Sequence, residues 1–388
     1  MYCVISFKNI RNIDDILPLI YELKKAEIIT KPIFVVRERY VYEFIRKSQV
    51  LYEGISAING KLTYLYKYKN KYLNCFYNLT IYRHYIFRKV ISIEMSRNKM
   101  LSILSAFNNN VWKGKKIYSM IFNRPIRQAK NTVGCIRSIR EDFKIKNNVI
   151  KGYDYILLSH DKEQHEEAKY EKIITDSEHI NVGYTRGLEE WQKYLAKNIN
   201  RFLPEEIKMP YMFFSIDIFG SWLTGEKCDT YDEKFETCLN ILKEYNNDIM
   251  TVFKPNYRID IKKVRKILKN IGYKNYLITY THPVILFQKA KFFFACFPTS
   301  LLIEAYYHGC PTVEYAHYDR RFYDYNKGRP MHLNCVDYFI HRDPEKLKKV
   351  LEGLICENIN IKRNKNVINA DFPVLSREKI REMFSFFN

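Results

Sequence analysis

Short apolar runs alternate along the chain with longer segments whose apolar positions recur every three to four residues. Runs rich in Val, Ile, Phe and Tyr predict strands, whereas the longer period predicts helices. In the first half the predicted strands are Tyr2–Phe7, Pro32–Val36, Leu62–Tyr66, Lys116–Ile121, Tyr155–Ser159 and Lys172–Thr175. The predicted helices there are Asp14–Lys25, Tyr40–Lys47, a long one from about Tyr77 to Ile91, and Lys162–Tyr170. This alternation predicts a parallel sheet covered by helices.

The alternation restarts after a glycine-bearing turn and an aromatic-rich helix at residues 182–194. The strands predicted next are Tyr211–Ile216, Asp248–Phe253, Tyr276–Thr279 and Phe292–Cys296, with helices at Tyr231–Tyr245 and Ile261–Leu268. A chain of 388 residues is too long for one ordinary core. The sequence therefore predicts an α/β protein with two Rossmann-like domains at 1–195 and 196–345, followed by closing helices at 346–388.

The most informative segment, Phe294–Tyr315, reads as a strand, a Pro-Thr-Ser turn, a short helix, a glycine stop and a second strand. Thr299 and Ser300 are residue types that cap helix starts, and Gly309 can end the helix. A helix start presents unpaired N–H groups and a partial positive charge, to which the two hydroxyl groups add further donors. Pro298, Thr299 and Ser300 thus form a candidate site for a nucleotide phosphate.

Further candidate binding residues belong to the same half of the chain. Glu304 follows Ser300 by four positions and shares its helix face, where a carboxylate can accept hydrogen bonds from ribose hydroxyls. An ordinary capped helix with an exposed Glu304 fits the same pattern. The loop after Tyr211–Ile216 contains Gly220 and Ser221, and its glycines permit a close approach of the backbone to a substrate.

Composition places the chain among globular proteins. Hydrophobic residues make up 47% of it, and no apolar run approaches the ~20 residues of a membrane span. The start, Met1–Phe7, reads as a strand rather than as a signal peptide. The nine cysteines form no Cys-x-x-Cys pair, which favours reduced thiols over a zinc ribbon or a disulfide scaffold. We therefore expect a cytoplasmic protein.

The formal charge of +21 calls for an anionic partner or another explanation. Basic residues are densest from Lys113 to Arg140, a segment that includes Arg124 and Arg127. Nucleic acid, an anionic membrane surface and an anionic substrate all fit such a charge. Nucleic acid is disfavoured, because no helix-turn-helix, zinc finger or aromatic RNA-binding signature accompanies the charge. A general abundance of Lys, Asn, Ile and Tyr explains the excess equally well.

Two α/β domains with a nucleotide-binding motif in the second resemble the GT-B glycosyltransferases. The closer resemblance is to bacterial enzymes of capsule and lipooligosaccharide synthesis, including sialyltransferases and Kdo transferases that use CMP-activated sugars. The resemblance is strongest over residues 153–354 and rests on Pro298-Thr-Ser300, Glu304-Ala305 and Gly309-Cys-Pro311. A second family segment, of the Lys-Pro-His-Pro type, is matched in part by Lys254-Pro-Asn-Tyr257, with Asn256 in the place of the histidine.

This resemblance implies that the donor nucleotide binds the second domain and the acceptor binds the first, across a cleft. Lys254 and Asn256 would then contact the donor phosphate. Asn256 can donate a hydrogen bond but no proton, and His282, after the next strand, is the candidate replacement for the missing histidine. A histidine held in a turn by Pro283 is the alternative interpretation of the same residues.

Sugar transfer also needs a group that takes the proton from the acceptor hydroxyl, and the family supplies it from the first domain. Candidates at strand ends are Asp14 or Asp15 after the first strand, and His160 with Asp161 after Tyr155–Ser159. Asp161 is also a good N-cap for the helix that follows. No Asp-x-Asp signature indicates a metal site, so we expect transfer without a metal or another cofactor.

These features together predict a glycosyltransferase that moves an acidic sugar from a CMP-activated donor to a bacterial surface glycan or glycolipid. Gly220 and Ser221 would contact the substrate, and the basic segment with Arg124 and Arg127 would serve an anionic acceptor or the inner face of the membrane. The alternatives are a CDP-alditol phosphotransferase, a sugar-nucleotide epimerase or hydrolase, and a non-catalytic sugar-nucleotide-binding partner.

Overall fold

The computed structural model describes residues 2–7, 10–65, 90–95, 115–120, 155–158, 178–216, 229–256, 259–297, 299–318, 323–324, 327–330, 335–356 and 374–385. The chain divides into two compact units, one of Met1–Asn198 with Asn369–Asn388 and the other of Ile199–Ile368. Each unit is an α/β structure built on a parallel sheet. Within the described ranges, no helix is long and apolar enough to cross a membrane.

Thirteen strands and ten helices can be labelled in the described part of the chain. The strands are β1 (Tyr2–Phe7), β2 (Lys31–Val36), β3 (Lys61–Tyr64), β4 (Val90–Glu94), β5 (Lys115–Met120), β6 (Tyr155–Leu158), β7 (Glu178–Asn181), β8 (Tyr211–Ile216), β9 (Met250–Pro255), β10 (Tyr276–Ile278), β11 (Phe292–Ala295), β12 (Thr312–Ala316) and β13 (Tyr338–His341). The helices are α1 (Ile10–Lys25), α2 (Arg39–Lys47), α3 (Gln49–Ala57), α4 (Glu189–Phe202), α5 (Asp229–Lys243), α6 (Ile261–Ile271), α7 (Pro283–Phe287), α8 (Ser300–Tyr307), α9 (Pro344–Cys356) and α10 (Arg377–Met383).

The first unit is built on a seven-stranded sheet with the strand order β3-β2-β1-β4-β5-β6-β7. Its neighbouring strands all run parallel. The central strands β1, β2 and β4 are buried along nearly their whole length. Continuous burial explains why these segments read as apolar runs rather than as alternating patterns, because a parallel sheet is covered on both faces.

An aromatic cluster around Trp191 forms part of the core of the first unit. Its ring stacks on Tyr194 with the centroids 5.3 Å apart, and it meets Tyr21 of α1 edge-on at 5.8 Å. Gly54 of α3 makes this packing possible, because a Cβ atom there would lie only 3.0 Å from the Trp191 ring. A larger residue at position 54 would overpack the core.

The C-terminal helix α10 packs on the first unit through apolar and charged contacts. Ile380 and Phe384 are fully buried. Arg377 forms an ion pair with Glu190 and places its Nε atom 4.0 Å from Oε2 of the buried Glu22. Burial raises the pKa of Glu22, and the nearby guanidinium opposes that shift. Helix α10 thus belongs to the first unit, whereas α9 belongs to the second.

The second unit is built on a six-stranded parallel sheet with the strand order β10-β9-β8-β11-β12-β13. Successive side chains of each strand face opposite sides of the sheet. On one side, Phe214, Phe253 and Phe294 share a core with apolar residues of α5, α6 and α9. On the other side, Phe213 and Phe293 share a core with apolar residues of α7 and α8.

The structure confirms the predicted α/β class and the predicted strands of the second unit, β8 with unchanged limits. The helix predicted to end at Ile91 is wrong there, because Val90 and Ile91 begin the buried strand β4. A short apolar run cannot be assigned to helix or strand by its period alone. Helix α1 begins at Ile10 rather than at Asp14, and helix α3 was not predicted. Outside the described residues lie 77–89 of the predicted helix, the predicted helix Lys162–Tyr170 and the predicted strand Lys172–Thr175.

Candidate functional site

The carboxyl edge of the second sheet contains a switch in strand order. From β8 the chain builds outward to β9 and β10, and then returns to place β11 on the other side of β8. Loops that leave two such neighbouring strands run in opposite directions, which opens a crevice where α/β proteins bind ligands. Here the switch lies between the ends of β8 and β11. Cys296, Phe297 and Thr299 follow β11 and precede α8, so they lie next to this switch.

The start of α8 has the predicted capping geometry. Thr299 is buried, has an extended backbone conformation, and accepts a hydrogen bond on Oγ1 from the Leu301 N–H at 3.4 Å. Ser300, the first helical residue, is exposed to solvent. Gly309 follows the helix with φ of +76°, the left-handed conformation that favours glycine. The start of α8 thus presents an accessible hydroxyl group and helix N–H groups next to the switch in strand order.

Glu304 lies one turn into α8 and is only 3% exposed. The interpretation of this residue as an exposed glutamate on an ordinary helix is therefore wrong. Its neighbours Leu302 and Ala305 pack in the core on the α7 and α8 side of the sheet. The packing of α8 against the sheet therefore fixes the position of the buried Glu304 side chain.

A row of mostly polar side chains crosses the sheet two positions after Phe213 and Phe293. Strand register places Lys254 beside Ser215, Ser215 beside Ala295, and Ala295 beside Glu314. The residues two positions earlier in the strands of Ser215 and Ala295, Phe213 and Phe293, belong to the core under α7 and α8. The polar row therefore faces the same side of the sheet as α8 and lies nearer to the carboxyl edge.

Two members of this row are buried polar groups. Ser215 is 6% exposed, and within the described residues its Oγ atom has no hydrogen-bond partner. Glu314 is fully buried and accepts a short hydrogen bond from the Tyr318 hydroxyl. Burial raises the pKa of Glu314 to about 8, although the hydrogen bond from Tyr318 acts in the opposite direction. A carboxyl group with such a pKa is largely neutral at pH 7.

Lys254 and Asn256 lie at the end of β9, next to the end of β8. The Asn256 N–H donates to the Ile216 carbonyl oxygen at 2.7 Å, so the backbone pairing of β8 and β9 continues to this point. Both side chains are half-buried. The structure thus brings Lys254 and Asn256 to the same sheet edge as Thr299 and Ser300, as the sequence predicted.

His282 is buried at the start of α7, where Pro283 is the first helical residue. Its Nδ1 atom accepts a hydrogen bond from the Val284 N–H at 3.4 Å. In the neutral ring the proton is then on Nε2. This capping contact matches the turn role that the sequence allowed for His282.

The first-unit candidates for a catalytic base have different surroundings. Asp14 and Asp15 lie within α1 rather than in a loop, because the helix begins four residues before Asp14. The Oδ1 atom of Asp15 lies 2.8 Å from a guanidinium nitrogen of Arg186, and its carbonyl oxygen accepts a hydrogen bond from Thr185 Oγ1 at 2.7 Å. Asp15 is therefore engaged in holding α1 against the Thr185–Gly187 turn. Asp14 is half-buried.

Several predicted site residues lie outside the part of the chain that the structure describes. They are Arg124, Arg127, His160, Asp161, Gly220, Ser221 and Pro298.

Sequence reasoning missed several polar groups that the topology brings to sheet edges. In the second unit these are Ser215 and Glu314. In the first unit, Glu94 at the end of β4 pairs in register with Ser6 of β1, at that sheet's own switch in strand order. Both residues are buried. In the sequence, each of these residues is a single polar residue near the end of an apolar strand. Only the strand order shows which of them lie side by side.

Each sheet contains the Rossmann-type strand order, three strands on one side of a switch and further strands on the other. Two such units in one chain define a GT-B-like fold. No protein-family model matches the chain, and no curated protein matches it by sequence. The similarity to known proteins is therefore structural.

Several solved structures resemble the chain over nearly its whole length. UDP-GlcNAc 2-epimerase from Methanocaldococcus jannaschii has a TM-score of 0.53 and 14% identity, with all of both chains covered. A variant of the wall teichoic acid polymerase TagF has a TM-score of 0.56 and 13% identity, covering 100% of this chain and 88% of that one. HepE from Anabaena, solved with UDP and glucose, has a TM-score of 0.51 and 8% identity, covering 99% of this chain and 98% of that one. At such identities the likeness is one of fold.

Proposed function

We propose that the protein is a nucleotide-sugar-dependent glycosyltransferase whose donor binds at the carboxyl edge of the second sheet. Its main support is the start of α8, where the exposed Ser300 follows the N-cap residue Thr299 at the switch in strand order. This is where α/β domains bind phosphorylated ligands. Lys254 and Asn256 at the neighbouring end of β9 add a cation and an amide to the same edge.

The chemistry of sugar transfer fits these groups. When the bond between sugar and nucleotide breaks, negative charge develops on the phosphate of the leaving group. The N–H groups and partial positive charge at the start of α8, together with the Lys254 ammonium group, stabilise that charge. The Ser300 hydroxyl donates a further hydrogen bond, and Glu304 is the candidate acceptor for ribose hydroxyls. None of these steps requires a metal or another cofactor.

The acceptor side of the proposed reaction needs a base that removes the proton of the attacking hydroxyl group. His160, Asp161 and Asp14 remain the candidates, and His282 is the candidate for assisting departure of the nucleotide. The carboxylate of Asp15 is paired with Arg186, which disfavours a role as the base because the ion pair stabilises its charged form.

For the donor we favour a CMP-activated acidic sugar, and for the acceptor a glycan or glycolipid of the bacterial surface. The support is the Pro298-Thr-Ser300 motif with Glu304-Ala305 and Gly309-Cys-Pro311. The basic segment with Arg124 and Arg127 would bind an anionic acceptor or the inner face of the membrane. UDP-sugars are the main rival donors, because HepE was solved with UDP and glucose.

A sugar-nucleotide epimerase is the second candidate. It is favoured by the full-length likeness to UDP-GlcNAc 2-epimerases from Methanocaldococcus jannaschii and Rickettsia bellii. An epimerase changes its sugar nucleotide without any acceptor, whereas a transferase releases the nucleotide only when an acceptor hydroxyl takes the sugar. A CDP-alditol phosphotransferase would instead move a phosphate-bearing group to the acceptor.

Thermal unfolding in the presence of CMP, CDP, UDP, GDP and dTDP tests the proposed site. A ligand that binds only the native state raises Tm, so the cognate nucleotide should stand apart from the others. Sugar nucleotides of that base are then incubated with and without acidic glycan acceptors. Acceptor-dependent release of nucleotide, without transfer of phosphorus, supports the glycosyltransferase. Conversion of the sugar nucleotide without acceptor supports the epimerase, and no shift with any nucleotide contradicts both.

A further inference from the structure

Two buried polar side chains of the polar row, Ser215 and Glu314, each have an oxygen atom that forms no hydrogen bond. Ser215 is 6% exposed and Glu314 is fully buried. Among the residues that the structure describes, neither Oγ of Ser215 nor Oε2 of Glu314 has a hydrogen-bond partner. Buried polar groups in proteins are nearly always hydrogen-bonded, because an unsatisfied one destabilises the fold. Two such groups in one row therefore indicate a ligand that binds there.

The strand register brings these two groups to one face of the second sheet. Ser215 pairs with Ala295 of β11, and Ala295 pairs with Glu314 of β12. Two strand spacings, about 10 Å, separate the Cα atoms of Ser215 and Glu314. Between them Ala295 contributes only a methyl group, and it is the last residue of β11 before the segment that leads into α8. A ligand group above Ala295 is therefore within reach of both side chains and of the start of α8.

The surroundings of Glu314 keep its carboxyl group protonated. Burial is the main cause that raises its pKa to about 8, and the hydrogen bond from Tyr318 is the other influence on that pKa. The titratable and charged side chains on the elements around Glu314 are Glu304 of α8, Tyr318, His341 at the end of β13, Arg342 after it, and Lys254 at the other end of the row. Because Tyr318 donates to Oε1, the proton of the neutral carboxyl group lies on Oε2.

We infer that Ser215 and the protonated Glu314 donate hydrogen bonds to a phosphate oxygen of the bound nucleotide, an assignment that rests on the proposed function. Both free oxygens, Oγ of Ser215 and Oε2 of Glu314, carry a proton that no described residue accepts. The ligand group that fits two such donors is an acceptor without a proton of its own, and an ionised phosphate oxygen is one. The partial positive charge at the start of α8 favours the same anion.

A consequence of this assignment is that nucleotide binding requires the proton on Glu314. In the complex, the negative phosphate keeps that proton in place. In the free protein it is lost as pH rises through the raised pKa of about 8. Affinity is therefore complete below about pH 7 and falls about tenfold between pH 7 and pH 9, because the protonated fraction of the free protein falls by that factor. A phosphate monoester, whose second pKa is about 6, is ionised throughout this window.

The test is calorimetry on the full chain at pH 7, 8 and 9, with the nucleotide among CMP, CDP, UDP, GDP and dTDP that binds the parent protein best. Glu314→Gln replaces the O–H donor by an N–H donor that does not ionise, so it should bind as the parent does at pH 7 and show no fall toward pH 9. Ser215→Ala should weaken binding by about tenfold to about a hundredfold at every pH and keep the pH dependence of the parent. Circular dichroism at each pH checks that every protein is folded.

The matched control is Ser6→Ala, because Ser6 lies in β1 of the first unit, is equally buried, and has no hydrogen-bond partner for its Oγ atom within the described residues. It should leave nucleotide affinity unchanged, and a loss equal to that of Ser215→Ala would overturn the assignment. Parent affinity in Ser215→Ala, or the parent's pH dependence in Glu314→Gln, would also overturn it, while the proposed nucleotide site stands. A parent protein that binds no nucleotide of the panel would overturn the proposed function and this assignment together.

Discussion

At the scale of single residues, the carboxyl group of Glu314 lies in an unusual environment. It is fully buried in β12, and the Tyr318 hydroxyl donates to one of its oxygens. Removing an ionised carboxylate from water costs far more than one hydrogen bond returns, so the group keeps its proton over a wide pH range. A neutral carboxyl can donate a hydrogen bond, which an ionised one cannot.

This burial predicts a specific dependence of stability on pH. The pKa of Glu314 is raised from 4.5 to about 8 in the folded protein. Below about pH 4.5 both states are protonated and the full stability is present. As pH rises toward about 8 the unfolded chain loses the proton first, so stability is lost through that window. Glu314→Gln stays neutral throughout, so its advantage over the parent should grow by a few kcal/mol from pH 5 to pH 8, at about 1.4 kcal/mol per pKa unit.

Urea unfolding of the parent and of Glu314→Gln at several pH values measures this difference. Glu345→Gln, at an exposed position of α9, is the matched control and should follow the parent curve. Parallel curves for parent and Glu314→Gln between pH 5 and pH 8 would show that Glu314 ionises at its ordinary pKa in the folded state.

The sequence predicted single-residue features correctly where they depend only on neighbouring residues in the chain. The cap at Thr299 and the glycine stop at Gly309 depend only on the few residues around them, and both are confirmed. The burial of Glu314 and Ser215 was not predicted, because it depends on which strands lie side by side and which helix covers them.

At the scale of secondary structure, the two adjacent hydroxyl residues at the start of α8 have different environments, although the sequence suggests the same role for both. Thr299 is buried and caps the helix, whereas Ser300 is exposed at its first turn. Thr299→Ala should therefore cost about 1 kcal/mol of stability through the lost cap. Ser300→Ala should leave stability nearly unchanged and weaken nucleotide binding by about 1–3 kcal/mol, the scale of a hydrogen bond to a charged group.

Urea unfolding and calorimetry of both variants, with the best-bound nucleotide of the panel, provide the two readouts. Each variant is the control of the other, because the same hydroxyl is removed one residue apart. If Ser300→Ala bound the nucleotide as tightly as the parent, the start of α8 would be a capped helix without a role in phosphate binding.

The elements themselves were predictable to different degrees. In the second unit each strand is an apolar run followed by a polar loop, and the predicted strands agree with the structure. In the first unit the first two residues of β4, Val90 and Ile91, were assigned to the end of a helix, because Val-Ile-Ser-Ile-Glu is too short to fix a period. The buried Glu94 at its end was lost as a candidate for the same reason. Strand order could not be read from the sequence in either unit, since it is set by long-range packing.

At the scale of the whole molecule, the chain combines a GT-B-like fold with a large excess of positive charge. The fold was predicted from the repeated alternation of strands and helices and from one motif in the second half. The activity does not follow from the fold, because similar folds support several chemistries. Under the proposed function, the charge of +21 is the main clue to the acceptor, whose binding residues are not marked by any motif.

The basic segment from Lys113 to Arg140 belongs to the first unit, the half that binds the acceptor in the GT-B enzymes that the chain resembles. If it binds an anionic acceptor or membrane, that binding should fall steeply with salt, because the Debye length shrinks from about 10 Å at 0.1 M to about 3 Å at 1 M. Nucleotide affinity rests on short hydrogen bonds and should change much less. Four basic residues of the segment are then replaced by Gln, namely Arg124, Arg127, Lys130 and Arg137.

This quadruple variant should bind vesicles of anionic lipid and acidic glycans at low salt as weakly as the parent does at high salt. A matched variant removes the same number of charges from the exposed face of α6 in the second unit, at Lys262, Arg265, Lys266 and Lys269. Net charge acting at long range would weaken both variants equally, whereas a binding surface in the segment would weaken only the first. Parent affinity and an unchanged salt slope in the first variant would make the segment ordinary solvated surface.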